Sequence, residues 1–272
     1  MRIDSHCHTK EFSFDGIMTG EELLEGAIAH GLDAVVITDH YEQDYPFTLE
    51  NPEIFSIEEY FTAIDGWQRI AGERLIIRKG IELGYQPHLA AEYSTLVRGH
   101  AFDSVLLSAH LFRGTDPYYT TDCFSDDKSE SYTAYINELC EMVEKYSDFD
   151  ILAHYDYLPR YAPYEDVYMY YENAPEAFDR LFRILIRKGK SLELNTRSMT
   201  GLKKRGASRL LPDKAIYLRY RELGGRYVTL NSDSHEPSTF GLYFEEAQDF
   251  LRECGFTNTT VFVGRKPVAV EI

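Results

Sequence analysis

Apolar residues follow two alternating rhythms along this chain. Short continuous apolar runs take turns with stretches in which apolar positions recur every three or four residues. Thr19 and Glu22 are spaced as a capping box, with Leu23, Leu24, Ala27 and Ile28 on one helical face and Gly31 as the stop. Ala34-Val35-Val36-Ile37 then reads as a buried strand. Ser56 and Glu59 repeat the capping-box spacing ahead of Phe61, Ile64 and Trp67, and strands follow at Leu75-Ile76-Ile77 and Ser104-Val105-Leu106-Leu107. Ile136, Leu139, Cys140 and Val143 keep helical spacing before the strand Asp150-Ile151-Leu152. Pro175 suits a first helical position, and Phe178, Leu181, Phe182 and Leu185 lead to Gly189. Ser191 to Leu194 and Tyr227 to Leu230 are further strands, separated by a helix carrying Ile216, Tyr220 and Leu223. An amphipathic helix from Phe244 to Cys254 ends at Gly255, and Thr260 to Val263 reads as an extra strand.

Strand and helix in strict alternation predict parallel βαβ units. Counting Arg2-Ile3-Asp4 there are about seven of them, which favours an α/β closed or distorted barrel over an open doubly wound sheet. No GxGxxG follows the first strand, as a dinucleotide-binding sheet would show. The 272 residues carry no linker, repeat or low-complexity tract, so a single domain over 1–272 is expected. Segments 41–55, 83–103, 112–130, 155–173 and 196–212 read as long loops, and long loops in a compact domain usually carry function.

Charge narrows the partners. The chain has 45 acidic against 28 basic residues, a formal net charge of −17. A phosphate-backbone surface needs the opposite balance, so nucleic acid is not an expected partner. A small phosphate ester can still bind where cations are concentrated locally, and the excess acid favours a cationic substrate. Cys7, Cys123, Cys140 and Cys254 form no CxxC pair, and the N-terminal residues show no charged leader followed by an apolar segment. A cytoplasmic, reducing location is therefore expected. No apolar run is long enough to span a membrane.

The nine histidines are unevenly placed. His6 and His8 close the first strand, His40 ends Val35 to Asp39, His110 ends Val105 to Ala109, and His154 ends Ile151 to Ala153. Asp233 and His235 follow Val228 to Ser232, and Glu82 follows Ile76 to Ile81. In a parallel barrel these strand ends meet at one face. Imidazole mixed with carboxylate is the ligand chemistry of zinc, iron and manganese. His6-x-His8 has period-two spacing, so both rings project to one side, and Asp233-x-His235 repeats it. A buried carboxylate such as Glu82 can bridge two ions, and closely spaced ions neutralise a phosphate and make water a nucleophile near neutral pH. His30, His88 and His100 sit in helical or loop contexts and are expected to be structural. Cys7, out of phase with its histidine neighbours, is expected to be a packed thiol.

These motifs, His6-Cys7-His8, Thr38-Asp39-His40, Gly80-Ile81-Glu82, Ser108-Ala109-His110, Ala153-His154 and Asn231-Ser232-Asp233-Ser234-His235, occur in order over almost the whole chain. Together they resemble the ligand motifs of the polymerase-and-histidinol-phosphatase (PHP) superfamily, and within it the PHP-type histidinol-phosphate phosphatases. The resemblance implies a distorted (β/α)7 barrel with its metal site at the C-terminal ends of the strands. It implies two or three divalent transition-metal ions (zinc, iron or manganese). His6, His8, Glu82 and Asp233 would hold the first, and Glu82, His110 and His154 the second. Asp15, His40 and His235 would hold a third, Asp15 standing where many superfamily members have histidine.

A phosphate needs donors as well as cations. Arg160 and Arg197 follow different strands, and guanidinium forks match phosphate oxygens. They are the expected substrate-binding arginines, while Arg113 and Lys203-Lys204-Arg205 read as solvated. Tyr118 or Tyr119 can flank the substrate. The expected reaction is hydrolysis of a small phosphomonoester, L-histidinol phosphate above others, as in histidine biosynthesis. Asp233, or a water it orients, is the candidate acid for the leaving alkoxide. The alternatives are a phosphodiesterase or exonuclease of the same superfamily, which the charge opposes, and a non-catalytic metal-binding domain, which the retained ligand types oppose.

Overall fold

The computed structural model describes residues 1–47 and 54–272. It contains β1 (Ile3–Cys7), α1 (Gly20–Ala29), β2 (Ala34–Ile37), β3 (His40–Tyr41), α2 (Ile57–Ala71), β4 (Ile76–Gly84), α3 (Ala90–Gly99), β5 (Ser104–Ser108) and α4 (Lys128–Lys145). The chain continues through β6 (Ile151–Leu152), α5 (Pro175–Lys188), β7 (Ser191–Asn195), α6 (Thr196–Lys204), α7 (Lys214–Glu222), β8 (Val228–Asn231), α8 (Phe244–Glu253), β9 (Asn258–Val263) and β10 (Lys266–Glu271).

Seven parallel strands run in the order β1-β2-β4-β5-β6-β7-β8, with short β3 also paired to β4. A bridge between Cys7 and Ser234 brings the two edges together, and the amide of His8 donates to the carbonyl of Ser234 at 2.9 Å. The result is a distorted (β/α)7 barrel. Strand alternation sorts its side chains. Val35, Ile37, Ile81, Leu83, Val105, Leu107, Leu192, Leu194, Val228 and Leu230 pack in the main hydrophobic core with the surrounding helices. The opposite parity turns Asp4, His6, Glu82, Glu193, Thr229 and Asn231, all buried, toward the barrel axis. Lower in the barrel, Leu106, Ile151, Ala153 and Phe262 form a separate apolar cluster. Phe262 comes from the antiparallel hairpin β9–β10, which covers the N-terminal strand ends: Gly264 and Arg265 donate backbone hydrogen bonds to Asp103, and Arg265 pairs with Asp150.

Several local expectations need correction. Thr19 and Glu22 form the reciprocal capping box, but at Ser56 only one half forms: its hydroxyl accepts from the Glu59 amide and donates to Glu58 instead. Segment 83–103 is not a loop, because it contains α3, whose buried apolar face is only Tyr93 and Val97. Segment 196–212 begins with α6, nucleated by Asn195, whose side chain accepts from the Arg197 amide. Both helices bury too few apolar residues to write a readable stripe. Part of segment 41–55 lies outside the described residues. The extra strand at the C-terminus has a partner, β10, that its exposed residues did not signal.

Candidate metal centre

Glu82 is the focal point. It lies inside β4 rather than after it and is fully buried. Its Oε2 is 3.1 Å from His6 Nε2, 3.4 Å from His8 Nε2 and 3.0 Å from His40 Nδ1. Its Oε1 is 2.9 Å from His154 Nε2 and 3.5 Å from His110 Nε2. Histidines arriving from four places in the barrel thus converge on one carboxylate. His235, from the last strand end, lies against His8 with ring centroids 4.2 Å apart, and His40 stacks on His8 at 4.2 Å. Burial alone would raise the Glu82 carboxyl, but the His6 and His40 charges and hydrogen bonds from His110 and His154 hold it well below the usual range. His8 is held low as well, but as a neutral ring: burial and the neighbouring His40 and His235 charges keep it well below an ordinary imidazole.

Other residues fix these rings. Glu193, on the axis side of β7, accepts from His6 Nδ1 at 2.9 Å and also receives the His154 amide and the Asn231 side chain. His110 Nδ1 pairs with Glu42. Glu42 fits there because β4 ends in a glycine: a Cβ at Gly84 would lie 2.0 Å from the Glu42 carboxylate. Asp39 accepts from the Thr9 hydroxyl and the Ser13 hydroxyl, both at 2.8 Å, tying down the loop that carries Asp15. Orientation of imidazoles by carboxylates is the usual support for metal ligation.

Asp233 adopts a left-handed backbone conformation, φ 54°, an uncommon state for a non-glycine residue that recurs at functional sites. This aims its carboxylate inward. Oδ1 is 3.4 Å from His8 Nε2, and Oδ2 accepts from Arg160 Nη1 at 3.1 Å. Although burial raises it, the His6 and Arg197 charges with the His8 and Arg160 contacts hold its carboxyl well below the normal range. Arg197 Nη1 donates to the Asp233 carbonyl at 3.1 Å. Asp15 Oδ2 is 2.9 Å from His235 Nε2, and its Oδ1 is 3.5 Å from His40 Nε2.

The donor set fits divalent transition metals. Nitrogen and oxygen atoms gather within ligand range in four groups: His6/His8/Asp233, His6/Glu82/His154, His8/His40/His235 and His40/Glu42/His110. Buried His8 Nε2, His40 Nδ1, His235 Nε2 and Asp15 Oδ1 have no hydrogen bond of acceptable geometry, despite carboxylates close by. Buried polar atoms rarely go unpaired, and ligation would satisfy all four. The nine residues expected as ligands therefore cluster together: Asp15, His40, His110, His154, Asp233 and His235 line one cleft, and His6, His8 and Glu82 are buried beside it, with His8 adjoining the group expected to be only Asp15, His40 and His235. The cleft holds about 340 Å³ and is also lined by Arg160 and Arg197. His30 and His100 instead bond backbone carbonyls of their own helices, and His88 pairs with Asp44 at the surface. Cys7 is buried, its thiol on the Val36 carbonyl.

The PHP domain family matches residues 4–197. The chain belongs to this family. Over 93% of this PHP chain and 94% of the relative, it is 32% identical to a probable histidinol-phosphatase of Clostridium acetobutylicum. It is 26% identical, with TM-score 0.86 over 98% of each chain, to a histidinol phosphate phosphatase of Lactococcus lactis whose crystal structure holds zinc, L-histidinol and phosphate. A Listeria monocytogenes structure, 19% identical with TM-score 0.72 over 90% of this chain and 99% of that one, shares the PHP fold. Asp233 and His235 lie beyond the matched span yet reach the same PHP centre through barrel closure. Sequence reasoning missed Glu42 and Glu193. For Glu193 a signal existed, a carboxylate alternating with Leu192 and Leu194 in a buried strand; for Glu42 there was none.

Proposed function

We propose that this chain is a metal-dependent phosphatase that hydrolyses L-histidinol phosphate to L-histidinol and phosphate. The observation that carries the reading is the convergence of five imidazoles on Glu82 in a barrel of the same shape as a phosphatase holding zinc, L-histidinol and phosphate. In this reading His6, His8, Glu82 and Asp233 hold one cation, Glu82, His110 and His154 a second, and Asp15, His40 and His235 a third. Zinc, iron and manganese all suit such donors. Bound there, such cations neutralise phosphoryl oxygens and lower the pKa of a water nucleophile.

The protein's own groups do the rest. Arg160, from the turn after β6, and Arg197, from the first turn of α6, enter the cleft and take the phosphoryl oxygens, as donors whose contacts tighten when attack redistributes charge. Asp233, ionised in this setting, orients a water that supplies the proton to the departing alkoxide. The cleft wall also carries Glu42 and Asp116 with Tyr45 and Tyr119, an acidic and aromatic surface suited to a cationic alcohol. The reaction takes place in a reducing cytoplasm, in keeping with four buried free thiols.

The test is phosphate release from L-histidinol phosphate by metal-replete protein, beside cleavage of a short single-stranded oligonucleotide. Turnover of the monoester that chelation abolishes and zinc or manganese restores supports the reading. Oligonucleotide cleavage without phosphate release would replace it with the phosphodiesterase alternative.

A further inference from the structure

Arg160 is gripped more firmly than a substrate-binding arginine requires. Its side chain is only 5% exposed. Nε donates to Ser198 Oγ at 3.1 Å, and that hydroxyl donates onward to Asp156 Oδ1 at 3.0 Å. Nη1 donates to Asp233 Oδ2 at 3.1 Å. The guanidinium carbon lies 5.5 Å from the centre of the Tyr157 ring, whose hydroxyl is held by Asp116 at 2.9 Å. Nη2 is buried and has no partner.

A guanidinium is planar and rigid, so fixing two of its nitrogens fixes the direction of the third. Both hydrogen bonds of the Ser198 side chain serve this end: one accepts from Arg160 and one ties the hydroxyl to Asp156. Arg197 differs, with its side chain 37% exposed. We infer that Ser198 and Asp156 are positioning residues that, through the relay Asp156–Ser198–Arg160, aim Arg160 Nη2 at a phosphoryl oxygen of the substrate. The inference rests on the reading above that Arg160 meets the phosphate. The relay keeps the plane ordered before substrate arrives, so binding does not have to restrict a flexible side chain, and attack finds the donor in register.

The experiment is a double-mutant cycle with three readouts: kcat/KM for L-histidinol phosphate, inhibition by inorganic phosphate, and metal content with thermal midpoint. Ser198→Ala is expected to lower kcat/KM about tenfold and weaken phosphate inhibition in parallel, since misaligned contacts at a reacting group are costly. Metal content and midpoint should not change. In the Arg160→Ala background, adding Ser198→Ala should have no further effect, because the group it positions is gone. Asp156→Ala enters the relay from its other end and should behave likewise. Normal kinetics in Arg160→Ala would overturn the phosphate reading itself. A damaged Arg160→Ala beside a normal Ser198→Ala would overturn the relay alone. Additive losses, or loss of metal in Ser198→Ala, would make Ser198 structural and also overturn it.

Discussion

Replacing Glu82 by glutamine removes one negative charge from the point where five imidazoles meet. The carboxylate is fully buried, so water cannot take over its role. Two unit charges about 4 Å apart interact by about 4 kcal/mol at the effective dielectric that suits protein sites. That corresponds to about 10³-fold in affinity for a cation resting on Glu82. The glutamine carbonyl still offers a lone pair, so the loss is bounded below by about 1.4 kcal/mol, or about tenfold. Glu82→Gln should therefore bind zinc between about tenfold and 10³-fold more weakly, and turnover should fall with occupancy. The assay is elemental analysis after equilibration in chelator-buffered zinc, with phosphate release measured on the same samples and circular dichroism to exclude unfolding. A folded variant with full metal at wild-type free zinc and an unchanged kcat/KM would refute the bridging role.

Three further outcomes are expected. His110→Asn and His154→Asn should each remove most activity, whereas His30→Asn and His100→Asn should leave rates near wild type; equal losses across the four would deprive the strand-end argument of its force. Arg197→Ala should lower kcat/KM by about tenfold, about 1.4 kcal/mol, with metal content intact, while Lys203→Ala stays neutral; the opposite pattern would move the phosphate toward residues 203–205. Hydrogen bonds from Arg219 and Tyr171 outweigh burial and hold Asp179 down at about 2. A folded-state value below the unfolded one stabilises fully above the unfolded pKa of 3.8, and that contribution disappears as pH falls through about 2. Asp179→Asn should thus cost about 1 kcal/mol near neutrality, as exposed ion-pair networks do, and the gap in thermal midpoint should narrow below pH 4. A gap independent of pH would assign the loss to packing.

The centre was readable from sequence where chemistry and strand periodicity coincide. His6-x-His8 and Asp233-x-His235 each mark one face of a strand end, and a parallel barrel gathers such ends without further information. Asp15 came from family resemblance alone, since it lies in a loop whose path is set by Asp39 through bonds to Thr9 and Ser13. Glu42 was invisible because its place depends on Gly84, far along the chain, leaving room beside β4. The two unforeseen helices have a similar cause. Tyr93 and Val97 in one, Met199 and Leu202 in the other, are too few to form a stripe, and long-range packing selects the helix. The left-handed turn at Asp233 is likewise imposed by barrel closure and leaves no mark in composition.

The closing seam between β1 and the segment after β8 has a consequence for how the protein matures. Each bank of the seam carries a candidate ligand pair, His6 with His8 on one side and Asp233 with His235 on the other, and backbone bonds join the two strand ends around Ser234, whose amide donates to the His6 carbonyl and whose carbonyl accepts from the His8 amide. These groups are separated by more than 220 residues of sequence, from His8 to Asp233, so both segments must be made before they can meet. Contacts of such long sequence separation form late, because their chain-closure cost precedes their reward. Ions shared across the banks would then act as a clasp, and filling the centre would coincide with the last folding event. Amide exchange at His8 and Ser234 should slow on metal loading by more than at the α4–α5 face, which lies away from the seam. Equal protection at both places would mean that the barrel shuts without help from its ions.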